Sequence, residues 1–144
     1  MGSNVIGIGY EGLDQDALMA RLRLRDVKTV VDVRLNPISR KRGLSKSALS
    51  ARLESEGIGY EHLPALGNPR DNREGFAEVD SQEGRAARDA FGELLGARAA
   101  RLGLDRVLEL AEDGTVALLC FEEDETRCHR ELVLAALHSR LVSA

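Results

Sequence analysis

Nearly all the reactive side chains of this chain fall in one stretch, from Thr115 to Leu137. Cys120 and Glu122 flank Phe121, an acidic run extends to Glu125, and Cys128-His129-Arg130 follows. A cysteine beside a histidine is the pairing that nucleophilic catalysis uses: the imidazole takes the thiol proton and the sulfur attacks. Cys128 suits that role. It opens a segment of helical periodicity and neighbours Arg130, and a helix N-terminus with a nearby cation lowers a thiol pKa below its free value of about 8.5. Cys120, among carboxylates at the end of an apolar run, reads equally well as a small buried hydrophobe. Glu122 and Asp32 are candidate acids or orienting groups. Arg130 and the first amides of the helix behind it form a candidate anion site. The set Cys120, Glu122, Cys128 and His129 also consists of metal-ligating types. That reading is the weaker one, because structural zinc usually shows paired short spacings and the adjacent Cys128 and His129 would need unusual geometry to share an ion. A redox pair lacks the C-x-x-C spacing.

The elements that must position these residues follow from periodicity. Thr115-Val-Ala-Leu-Leu119, ending at Cys120, is a continuous apolar run of the kind found in buried parallel strands. Leu132, Val133, Ala136 and Leu137 then recur as the stripe of an amphipathic helix. Val5–Gly9 reads as a first strand and Leu13–Leu24 as a helix with Asp14 and Asp16 at its start. Gly9 and Gly12 permit a close-approach loop around Tyr10, but their spacing is not the dinucleotide fingerprint, and no cofactor is expected. Thr29–Val33 is a second strand. Asp32 within it needs a partner, for which Arg34 or a loop amide is at hand.

The following loop carries Ser39, Arg40, Lys41 and Arg42, a basic cluster suited to an anion or phosphate, or simply to solvent. Ser45 is placed to cap a helix over Lys46–Glu56, ended by Gly57. Ile58–Leu63 alternates as a third strand. The polar stretch Asp71–Gln82 reads as a long irregular loop with Arg70 and Arg73 at its start. Glu83–Glu112 is one or two helices, broken near Gly96 or Gly103. His62 and His138 are expected to be structural or exposed.

Strands separated by helices predict a single α/β domain over residues 1–144, a three-layer α/β/α sandwich with a mostly parallel sheet of about four or more strands. Ligands in such sheets bind outside the carboxyl ends of the strands. All four strand exits here carry unusual residues: Tyr10-Glu11, Asp32 with Arg34, Gly67-Asn68 with Arg70, and Cys120 with Glu122, Cys128, His129 and Arg130. Tyr10, Arg34, Ser39, Arg42 and Arg130 are the candidate ligand-binding residues.

With 43% hydrophobic residues, no Trp and few aromatics, the core must be aliphatic. A formal charge of −4 argues against a dedicated nucleic-acid binder, though local basic clusters remain available. Two cysteines and the lack of a signal-peptide pattern predict a reducing, cytoplasmic setting. No apolar run approaches the ~20 residues that span a bilayer. A small anion or nucleotide is the expected partner, nucleic acid a further one, and the oligomeric state is not legible.

Several segments together resemble the domain-of-unknown-function 488 family of bacterial and archaeal proteins. They are Ile8-Gly9-Tyr10, Val31-Asp-Val-Arg34 with Asn36-Pro37 and Ser39, Leu44-Ser-Lys46, Gly57-Ile58 with Tyr60, Leu66-Gly67, and Cys120-Phe-Glu122 leading to Cys128-His-Arg130. The resemblance covers nearly the whole chain in order and implies an α/β domain, with no reaction attached. Leu44 stands where relatives tend to carry an aromatic residue. The expected function is binding or processing of a phosphate-containing, nucleotide- or nucleic-acid-related ligand, with a non-catalytic binding module and a Cys/His/Glu metal site as alternatives.

Overall fold

The computed structural model describes residues 4–37, 39, 42–69, 72, 74–77, 80–122 and 128–143. Arg40, Lys41, Arg70, Arg73, Glu123, Asp124 and Glu125 lie outside the described residues. The strands are β1 (Val5–Gly9), β2 (Val27–Asp32), β3 (Gly59–His62) and β4 (Thr115–Cys120), and the α-helices are α1 (Gln15–Leu24), α2 (Lys46–Ser55), α3 (Gln82–Leu95), α4 (Arg98–Ala111) and α5 (Arg130–Ser143). All strand pairings are parallel, in the order β1-β4-β2-β3.

The apolar runs of β2 and β4 occupy the middle of the sheet, as strands covered on both faces should. On one face Leu18, Met19 and Leu22 of α1 and Leu49 and Leu53 of α2 pack on Ile8, Val30, Ala117 and Leu119. On the other, Phe91 of α3, Leu104 and Val107 of α4 and Val133 and Leu137 of α5 pack on Val5, Val31, Val116 and Leu118. The alternation of β4 between the two clusters is the period-two rule of a strand. The chain advances from β1 to β2 to β3 with its helices on one face, then returns to β4 with helices on the other. Strands β1 and β2 therefore flank β4 while the helices that follow them lie on the face opposite α5, which makes a topological switch point.

Boundaries move for local reasons. Helix α1 starts at Gln15 rather than Leu13, because Asp14 caps it, its Oδ1 accepting from the Ala17 N–H at 2.8 Å. Ser45 occupies the N-cap position of α2, yet its Oγ accepts from the Ser39 N–H at 2.9 Å and leaves the helix uncapped. Strand β2 begins two residues early at Val27, with a register irregularity against β4 before Thr29. The stretch expected to be irregular holds a 3₁₀ turn, Glu74–Ala77, anchored by Phe76 at 2% exposure against Phe91. The helical region breaks at Gly96, whereas Gly103 lies inside α4. A Cβ there would meet Leu66 Cγ at 3.2 Å, so glycine lets the helix approach the exit of β3. Among the described residues no helix is long and apolar enough to cross a membrane.

Candidate functional site

Register places the strand ends level: Gly9 pairs with Cys120, and Asp32 with both Leu119 and His62. The first residues beyond each strand consequently meet at one edge, where a cavity of about 90 Å³ opens. Cys120, Glu122, Cys128 and His129 line one part of it, Tyr10, Phe76 and Phe121 give aromatic walls, and Arg34, Asn36 and Asn68 are polar. Organic-ligand pockets are commonly about 300–1,000 Å³, so this one admits a compact group rather than a whole nucleotide.

The thiols and the imidazole form a close set. One donor atom each from Cys120, Cys128 and His129 lies within 4.8 Å of the others, and all three residues are buried. His129 Nε2 is 2.8 Å from the Val33 carbonyl oxygen. A carbonyl only accepts, so Nε2 carries the proton, and the nitrogen that a neutral ring would offer as a lone pair is Nδ1. That atom faces Cys128 Sγ at 3.7 Å and Cys120 Sγ at 3.9 Å. Phe91 holds the ring edge to face at 5.1 Å between centroids.

The Cys120 thiol donates to Glu122 Oε2 at 3.4 Å, and Cys128 Sγ accepts the Arg130 backbone N–H at 3.5 Å. Contact with the Cys128 sulfur and then burial push the Cys120 thiol well above its usual range, with His129 pulling the other way. Chemically the set can act in two ways: Nδ1 can take the proton of Cys128, or the three atoms can ligate a metal ion. Both need the same lone pair, so they exclude each other. The adjacency of Cys128 and His129 is no obstacle to the second, since their donor atoms turn to the same point.

Asp32 does not line the cavity. It is fully buried behind the wall and grips Arg34 through Nε–Oδ1 at 2.8 Å and Nη2–Oδ2 at 2.6 Å, while the Tyr60 hydroxyl donates to Oδ2 at 2.6 Å. Arg34 Nη1 reaches the Leu44 carbonyl at 2.7 Å and the Tyr10 hydroxyl at 3.4 Å, and the guanidinium lies 5.3 Å from the Tyr10 ring centroid. Burial works against its charge, but the hydrogen bonds and charge of Asp32 outweigh that and raise its pKa. Burial, then the bond to Asp32, likewise raises that of Tyr60.

Of the remaining residues expected at the site, Ser39 ties its loop to Ser45, Arg42 is exposed and is not among the lining residues, and Arg130 is 1% exposed within the fold. The contribution of Arg130 visible at the site is its backbone amide. Asn68 was expected at a strand exit, whereas Asn36, Phe76 and Phe121 were not among the expected site residues. Asn36 and Asn68 stand at the exits of β2 and β3, where a signal existed. Asn68 is fixed by Asn72, whose Nδ2 donates to Asn68 Oδ1 and to the Ala87 carbonyl, each at 2.9 Å. Phe76 had no such signal.

The model of a family described as domain of unknown function DUF488 matches residues 14–137. No curated protein and no solved structure matches the chain.

Proposed function

The chain belongs to the DUF488 family, and from its site we propose that it is an enzyme processing a compact, nucleotide-related ligand at the strand ends. The observation that carries this reading is the convergence of Cys120, Cys128 and His129 on one point of a cavity wall, with the Glu122 carboxylate 3.4 Å from Cys120 Sγ. Both cysteines also belong to the hydrophobic core, but an imidazole nitrogen and a carboxylate turned toward them at a cavity make the arrangement that proton transfer or ligation needs. The aromatic walls and the amides of Asn36 and Asn68 suit a planar polar group. At about 90 Å³ the cavity takes that group alone. A phosphate carried by the ligand stays at the rim, where Arg34 ties down the loop bearing Arg42 through the Leu44 carbonyl.

The test is thermal unfolding with phosphate, nucleobases, nucleosides, nucleotides and short oligonucleotides, followed by mass analysis of any stabilising compound after incubation. A ligand at 100 times its Kd adds about 2.7 kcal/mol, which moves the midpoint by about 5–11 °C at roughly 2–4 °C per kcal/mol. Conversion by the wild type but not by Cys128→Ser supports the enzyme. Equal binding by both, with the compound recovered unchanged, would instead make the chain a non-catalytic binding module.

A further inference from the structure

We propose that Cys120, Cys128 and His129 hold one zinc ion with a coordination position open to the cavity, and that Glu122 accepts a proton from water bound there. Zinc bonds sulfur at about 2.3 Å and imidazole nitrogen at about 2.0–2.1 Å, so the S···N edge of a tetrahedral site is roughly 3.5 Å. The two edges in this protein are 3.7 and 3.9 Å, within a small adjustment of that value. The three donor atoms lie within 4.8 Å of one another, against roughly 3.8 Å for the S···S edge of such a site, so side-chain shifts of about an ångström or less close them on one ion.

Three further observations agree with a metal. His129 donates its Nε2 proton to the Val33 carbonyl, the orienting bond that metal-bound histidines make with their second nitrogen. The sulfur of Cys128 accepts the Arg130 amide, which leaves it a hydrogen-bonded ligand rather than a bare one. Two adjacent sulfurs buried beside a carboxylate need a counter-charge once ionised, and a divalent cation supplies it. Two soft thiolates with one imidazole select zinc over magnesium or calcium, which take oxygen ligands.

Three protein donors among the described residues leave one tetrahedral position, and because all three line the cavity, that position opens to it. Zinc lowers the pKa of bound water to about 7. Glu122 lines the same cavity and is the group placed to accept a proton from such a water. The hydrolytic role rests on the enzymatic reading above, whereas the metal site stands on its own geometry.

The experiment is a cobalt(II) titration of the reduced, chelator-dialysed protein, with zinc as competitor. Saturation at one equivalent is expected, with thiolate-to-cobalt charge-transfer absorption and tetrahedral visible bands that zinc abolishes. Cys120→Ser and Cys128→Ser should each reduce the charge-transfer band and weaken binding by more than about tenfold, the loss seen for even an outer partner. Glu122→Gln should keep stoichiometry and spectrum and lose only turnover. Circular dichroism of each variant, and intact zinc affinity in the surface variant Ser47→Ala, separate lost ligation from lost folding. Absence of saturable binding, or binding untouched by both serine variants, overturns the site. Loss of metal in Glu122→Gln would make Glu122 the fourth ligand and overturn the open position. Apart from the turnover of Glu122→Gln, these readouts do not need the organic ligand, so a failed ligand screen leaves the metal result intact.

Discussion

Asp32→Asn tests the frame of the site most directly. Asp32 is 0% and Arg34 5% exposed, and the carboxylate accepts Nε at 2.8 Å, Nη2 at 2.6 Å, the Arg34 backbone N–H at 3.1 Å and the Tyr60 hydroxyl at 2.6 Å. The amide keeps the shape and one acceptor but places an NH₂ against donors and leaves the guanidinium charge uncompensated. Removing one partner of a buried pair typically costs about 3–5 kcal/mol, and the isosteric amide belongs near 3. Against a total stability of about 5–15 kcal/mol this is a large fraction, and the midpoint should fall by about 6–12 °C. Urea unfolding at neutral pH gives the free energy. The loss should persist at roughly 1 M salt, where the screening length is about 3 Å, since a buried pair is screened little. The double variant Asp32→Leu with Arg34→Met should be more stable than Asp32→Leu alone, because it removes the orphaned charge. A cost below about 1 kcal/mol, the range of exposed pairs, or a double variant worse than the single one, would refute this account.

Other expectations are narrower. The pKa of Tyr60 is raised in the fold, so its contribution to stability is complete below the unfolded value of about 10 and is lost as pH rises above it; urea stability against pH should fall less steeply there in Tyr60→Phe, and an unchanged slope would remove Tyr60 as a cause. At Gly67 a Cβ would lie 2.7 Å from the Leu35 Cα, so Gly67→Ala should destabilise by about 1–3 kcal/mol. Exposed Gly92, inside α3 with nothing within 4 Å of a Cβ, should stabilise by about 0.5–1 kcal/mol on replacement by Ala; equal signs for the two, measured by urea unfolding, would contradict the packing described. Phe91 is fully buried against His129, and Phe91→Ala should cost about 3–5 kcal/mol and lower cobalt affinity by freeing the imidazole. Unchanged affinity would show that the Val33 carbonyl orients the ring by itself.

The layers of the fold were legible because β2 and β4 are short apolar runs and the helices carry clear stripes, so period and order together left few topologies. Cap chemistry was only half legible. Asp14, read only as an anion near the start of α1, is its cap, while Ser45, expected to be a cap, serves the Ser39 backbone. At the site, residue type was legible and commitment was not. Asp32 and Cys120 both ask for partners in the sequence. The sequence already offered Arg34 as the partner of Asp32; packing adds Tyr60 and sets the pair behind the wall, while Cys120 faces the cavity. Phe76 was unreadable because a single aromatic in a polar stretch has no period.

The segment leaving β2 is what gives these parts a common frame. Its two successive carbonyls each accept from a histidine: Val33 from His129 ahead of α5 at 2.8 Å, and Arg34 from His62 of β3 at 2.7 Å. The side chain of the same Arg34 reaches Tyr10 beyond β1 and the Leu44 carbonyl ahead of α2. One dipeptide therefore ties the exits of β1, β2 and β3 to the start of α5, and Asp32 holds its charged end in place. If that is the purpose of the buried charge, then Asp32→Asn should weaken cobalt binding even though Asp32 is not bonded to any of the three proposed donors. The displaced segment carries the carbonyl that fixes the His129 ring. An Asp32→Asn protein that is less stable yet binds cobalt with wild-type affinity would show that the pair holds up the fold without orienting the site.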